Sequence, residues 1–92
     1  MEFVWSSGFN RSFRKITNKN PQLKDQIAKV LRLLADDPFT PSLKSHKLGG
    51  ELAGLWSCSV ASDCRIIFNF SEDEELLEMV ILLVDISHDE VY

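Results

Sequence analysis

No long apolar run occurs in these 92 residues; the most apolar stretch, Met79-Val80-Ile81-Leu82-Leu83-Val84, has six. A bilayer-crossing helix needs about 20, so no membrane partner is expected. Met1-Glu2-Phe3-Val4-Trp5 has neither the basic start nor the small-residue cleavage site of a secretory signal, which points to a cytoplasmic chain. Cysteine is scarce. Cys58 and Cys64 lie six apart without a Cys-x-x-Cys pairing, which excludes a disulfide framework and the usual zinc spacings. In a reducing compartment they read as small core residues, with a cross-hairpin disulfide or a metal site shared with His46 or His88 as the alternatives. No metal and no cofactor is expected. A Ser-His-Asp spacing, a glycine-rich phosphate loop and a His-Glu-x-x-His motif are all missing, which disfavours the commoner small-enzyme chemistries.

What is present suits one ordinary globular domain spanning 1–92. Hydrophobic residues make up 45 % and charged residues 26 %, and two cores in so short a chain would each be too small. The net charge of -4 is unevenly spread. Residues 1–47 carry nine Lys/Arg against four acids, whereas residues 48–92 carry Arg65 alone against ten acids. Overall acidity argues against a nonspecific nucleic-acid coat, yet the basic half can meet phosphate locally.

Phe3-Val4-Trp5 reads as a strand. Phe9, Phe13 and Ile16 then fall on one helical stripe, with Arg11, Arg14 and Lys15 on the other face. Asn20-Pro21 supplies a cap and a first-turn proline for a second helix, whose Leu23, Ile27, Val30, Leu31 and Leu34 repeat with helical period until Asp36-Asp37-Pro38. Residues 38–54 read as an irregular connection. Alternation then signals strands at 55–60, 64–70 and 76–85, separated by Ala61-Ser62-Asp63 and by an acidic break at 71–75. The last strand is apolar on both faces and should lie centrally. The fold class is therefore α+β: an N-terminal strand and a helical hairpin packed on one face of a mainly antiparallel sheet. Arg65 and Ser59 fall on the less apolar strand faces and should line the open side. Trp5 and Trp56, both in apolar strand contexts, are expected in the core.

The two histidines bracket the strand-rich half. His46 precedes it, beside Lys47, and His88 follows the last strand. Two imidazoles can accept and donate protons near neutral pH, and Lys47 and Arg65 can hold a phosphate. RNA carries its own nucleophile in the 2′-hydroxyl, so this inventory suits a metal-independent ribonuclease. By itself the inventory is weak evidence, since an exposed histidine is more often merely solvated.

The spacing of three motifs goes further. "HKLGGELAGLW" at 46–56, "DCRIIF" at 63–68 and "HDEVY" at 88–92 resemble, in order, the motifs of RelE/YafQ-like toxins of bacterial toxin-antitoxin pairs. That resemblance implies a RelE-like α+β toxin that cleaves mRNA, typically on the ribosome, and is restrained by a cognate antitoxin. It implies that His46 and Lys47 approach the RNA backbone, that Asp63 orients or exchanges a proton, and that Arg65 steadies the scissile phosphate. It further implies that His88 acts as acid or base and that Tyr92 packs against the substrate. Cys64, Ser59 and Ser87 depart from the family pattern. A ParE-like relative that acts by binding a topoisomerase, or a member that only pairs with an antitoxin, needs no acid-base pair and is the competing expectation.

Overall fold

The computed structural model describes residues 1–75 and 77–88. Strand β1 (Phe3–Trp5) leads into helices α1 (Ser7–Lys19) and α2 (Pro21–Asp36). Strands β2 (His46–Lys47), β3 (Trp56–Ala61), β4 (Cys64–Asp73) and β5 (Glu78–His88) follow. They form one sheet in the order β1-β5-β4-β3-β2, antiparallel except for the β1–β5 pair.

Each helix starts where the sequence supplies a stop for the preceding chain. The Ser6 side chain accepts the amide of Phe9 at 3.0 Å and donates to the carbonyl of Val84 at 3.0 Å, capping α1 and pinning it to β5. Asn20 ends α1, its amide bonding the carbonyl of Ile16, and Pro21 opens α2. The inward stripe of the helices, Phe9, Ile16, Leu23, Ile27, Val30 and Leu34, packs on Cys58, Cys64, Ile66, Phe68, Ile81, Leu83 and Ile86 of the sheet. One face is covered by helices and the other is open, as the alternation in β3 and β4 requires.

Several expectations need correction. The connection 38–54 contains β2 and two short 3-10 turns, at Pro41–Leu43 and Gly50–Leu52; a two-residue strand is invisible to periodicity. Gly50 (φ 63°) and Gly54 (φ 95°) take backbone angles that favour glycine and turn the chain between β2 and β3. β4 runs through the expected acidic break to Asp73, because its ladder with β5 continues to the Asp73–Glu78 pair. β5 begins later and ends later than alternation suggested, with His88 as its last residue. β5 is interior, between β1 and β4, as its apolar faces indicated. Trp5, expected in the core, is 50 % exposed on the edge strand β1, because among the described residues β1 has a neighbour on one side only. Trp56 is half-buried in a cluster with Phe39 and Phe70, at ring separations of 5.4 and 5.7 Å.

Candidate functional site at the end of the sheet

Residues paired across a β-ladder point to the same face, and successive residues alternate. Cys64, fully buried under the helices, pairs with His88, and the neighbouring position pairs Arg65 with Ser87. His88 therefore projects to the helical side, where it borders a cleft with α1. Arg65 projects to the open side, where it is exposed and aligned with Ser59 of β3. The cause is a bulge. Ile67 pairs with Asp85 and Phe68 with Leu83, leaving Val84 as an extra residue in β5. Both Leu83 and Ile86 are consequently turned into the core, and His88 follows Ile86 two residues on. Without the extra residue, strict alternation from Leu83 would carry His88 to the face of Arg65. The bulge is fixed from α1: Ser6 binds the Val84 carbonyl, and the Ser12 hydroxyl donates to Asp85, whose carboxylate also accepts the amide of Ile86 at 2.8 Å.

Asp63, in the β3–β4 turn, reaches His88. Nε2 of His88 lies 3.1 Å from Oδ2 of Asp63, with the imidazole side chain 18 % exposed and the carboxylate side chain 39 %. A carboxylate only accepts, so Nε2 is assigned the proton and Nδ1 holds the lone pair when the ring is neutral. Sequence reading placed both residues in the site, and they are in contact. No motif spacing shows that contact; the turn between two strands creates it.

His46 does not join them. It lies on the edge strand β2, opposite Ser57, with β3 and β4 intervening before β5. Three strand spacings amount to about 14 Å. Antiparallel pairing does not draw the two histidines together, because strand order sets β2 at the far edge. Nδ1 of His46 donates to the carbonyl of Lys44 at 3.0 Å, which leaves Nε2 as the proton acceptor. By register, His46 shares the open face with Ser57 and Arg65. Between them the Ser57 hydroxyl is buried with no hydrogen-bond partner among the described residues. Lys47 points the other way, with its ammonium 5.6 Å from the centre of the Trp56 ring. Tyr92 lies outside the described residues.

Both cysteines are reduced and buried. Burial pushes the Cys58 thiol from its ordinary value of 9.0 up to about 12 and that of Cys64 to about 11. They are core groups rather than nucleophiles. No group of three or more His, Cys, Asp or Glu among the described residues is placed to hold a metal ion, and no described helix is long and apolar enough to cross a membrane. Sequence reasoning missed Ser12, Lys19 and Asn20, which flank His88 across the cleft. The spacing of Lys15 and Lys19, four apart on α1, was the available signal.

Comparisons with known proteins agree on the fold. None of the curated proteins matches the chain in sequence. Among solved structures it is similar to a YoeB/ParE toxin from Agrobacterium tumefaciens (19 % identity, TM-score 0.76, 98 % of this chain and 100 % of that one). It is also similar to YafQ from E. coli strain BL21(DE3) (16 %, 0.74, 95 % and 91 %). A third similar structure is that of the E. coli DinJ-YafQ toxin-antitoxin complex (15 %, 0.71, 95 % and 90 %). The model of the YafQ family, bacterial toxins of type II toxin-antitoxin systems, matches residues 1–92. Two helices on a five-stranded mixed sheet, with a match along the full sequence, place this chain in the YafQ toxin family.

Proposed function

We propose that the protein is the endoribonuclease toxin of a toxin-antitoxin pair, acting on mRNA in the cytoplasm at the end of the β4–β5 pair, with the ribosome presenting the substrate. The observation that carries the reading is the hydrogen bond between His88 and Asp63 in a half-sheltered position. A carboxylate on one imidazole nitrogen fixes the ring and stabilises the imidazolium, leaving the other nitrogen to exchange a proton. In the reaction so assigned, Nδ1 of His88 takes the proton of a ribose 2′-hydroxyl. The 2′-oxygen bonds to phosphorus, the bond to the 5′-oxygen breaks, and the same proton passes to that departing oxygen. The products are a 2′,3′-cyclic phosphate and a 5′-hydroxyl. Arg65 emerges on the opposite face of the sheet from His88, so it is assigned to the RNA backbone beyond the sheet's end rather than to the scissile phosphate that the resemblance implied. His46, on the face of Arg65, and Lys47, behind it, meet the RNA backbone further along, and Tyr92 packs against substrate. No cofactor is required. The partner that restrains the toxin is a cognate antitoxin, by analogy with the DinJ-YafQ complex.

Mapping RNA ends in a translating extract tests the reading. The wild-type chain should generate new 5′-hydroxyl ends, H88A none, and D63N fewer by about 10² to 10⁴ if the proton transfer depends on the pair. Intact mRNA in cells that the wild-type chain still arrests would sink the nuclease assignment and favour a ParE-like topoisomerase binder.

A further inference from the structure

The cleft beside His88 has its own chemistry. It is shallow, about 240 Å³, with the apolar side chains Ile16 and Ile86 in its floor and Lys15 and Lys19 on its rim. Ser12 and Asn20 add polar atoms at its two ends, and His88 forms one wall. Lys15 and Lys19 are one helical turn apart, so their ammonium groups repel unless an anion lies between them. Neither is ion-paired among the described residues. The floor is well packed, with Ile16 at 8 % and Ile86 at 4 % exposure, so its shape exists before anything binds.

We propose that this cleft seats one nucleotide of the RNA strand next to the scissile linkage. Lys15 and Lys19 bind its phosphates, and its base lies in the cleft against their methylene stems and the small exposed edges of Ile16 and Ile86. The assignment rests on the endoribonuclease reading in one respect: it makes His88 the wall shared by the bound nucleotide and the reacting ribose. An apolar floor under a cationic rim matches a nucleotide, which joins a flat ring to a phosphate. The bulge at Val84 then has a purpose, since it turns His88 toward the only face on which these lysines can hold the neighbouring phosphate.

The test uses the full chain and a short fluorescein-labelled RNA with 2′-O-methyl groups throughout, which binds but cannot be cut. K15E/K19E is compared with R11E/R14E, an equal charge change at the other shallow depression of α1, which Ser7 and Asn10 also line. All four residues are exposed. K15E/K19E should weaken binding about tenfold or more at low salt and lessen the slope of log K against log salt by about 1.4, the value for two single-strand phosphate contacts. R11E/R14E should leave that slope in place. On cleavable RNA, K15E/K19E should raise KM with kcat within a few-fold of wild type.

Equal losses in the two variants would overturn the proposal by reducing it to a general field. Unchanged binding by K15E/K19E would overturn it in favour of another occupant, such as an acidic segment of a protein partner, and so would failure of the wild type to bind. Binding that behaves as expected in a chain that cuts no RNA would uphold the nucleotide cleft and sink the nuclease reading. Cleavage that persists with K15E/K19E unchanged would do the reverse.

Discussion

Cys58 and Cys64 have side chains that the fold has made inert. Their thiols ionise at about 12 and about 11 in the native chain against 9.0 when free, the dominant cause being burial. The unfolded chain therefore loses these protons first as pH rises. Their stabilising contribution is complete below pH 9 and is lost progressively as pH climbs through the native values. Urea midpoints measured from pH 8 to 10.5 should fall, and the fall should be shallower in C58A than in wild type. At pH 8 the native protein should resist iodoacetamide, whereas the urea-unfolded chain reacts at both sites, because only thiolates attack the reagent. Rapid native alkylation would contradict the burial seen here.

The β4–β5 hairpin and the start of α1 concentrate the special geometry of single elements. Leu77 has φ 55° at the turn of the hairpin and is 78 % exposed, so its side chain contributes almost no burial while its backbone sits in the left-handed region. Replacement by glycine removes a steric cost of about 1–2 kcal/mol, partly offset by glycine's greater freedom when unfolded. L77G should therefore stabilise by up to about 1 kcal/mol, measured as a raised urea midpoint. Ser6 works in the opposite sense. Its hydroxyl satisfies an orphan amide of α1 and holds the bulge of β5. S6A should cost about 1 to 2 kcal/mol. In the nuclease reading it should also lower kcat, since the bulge directs His88. A variant of unchanged stability would show that the cap and the bulge are held by other groups.

At the scale of the molecule, strand order separates groups that share one chemical inventory. Two strands stand between those bearing His46 and His88, so in the nuclease reading the two imidazoles are not equivalent partners in proton transfer. In the nuclease reading, H88A should abolish cleavage, whereas H46A should lower kcat/KM by about tenfold or less, since that reading gives His46 a backbone contact and His88 the proton. Equal losses would mean that the histidines meet on substrate after all. The uneven charge of the chain has a spatial counterpart at the same scale. Lys15 and Lys19 stand beside the His88 end of the sheet, while Glu72, Asp73 and Glu78 stand at the opposite end of the β4–β5 ladder.

The amino-acid order alone determined both helices, the strands β1 and β3, the start of β4 and the interior place of β5, and it indicated that the cysteines are core residues. All of these depend on local periodicity, caps and composition, which neighbouring residues fix among themselves. It also marked His88 and Arg65 as residues worth watching, and the family resemblance added Asp63. Tertiary structure decided how they are grouped. Asp63 meets His88 because a turn and a strand end coincide, while one extra residue at Val84 reverses the side on which every later residue of β5 emerges. His46 is carried to the far edge by a two-residue strand too short to carry a period. Side-chain facing in a sheet depends on pairing register, and register is a property of two strands together, which neither strand's own sequence contains.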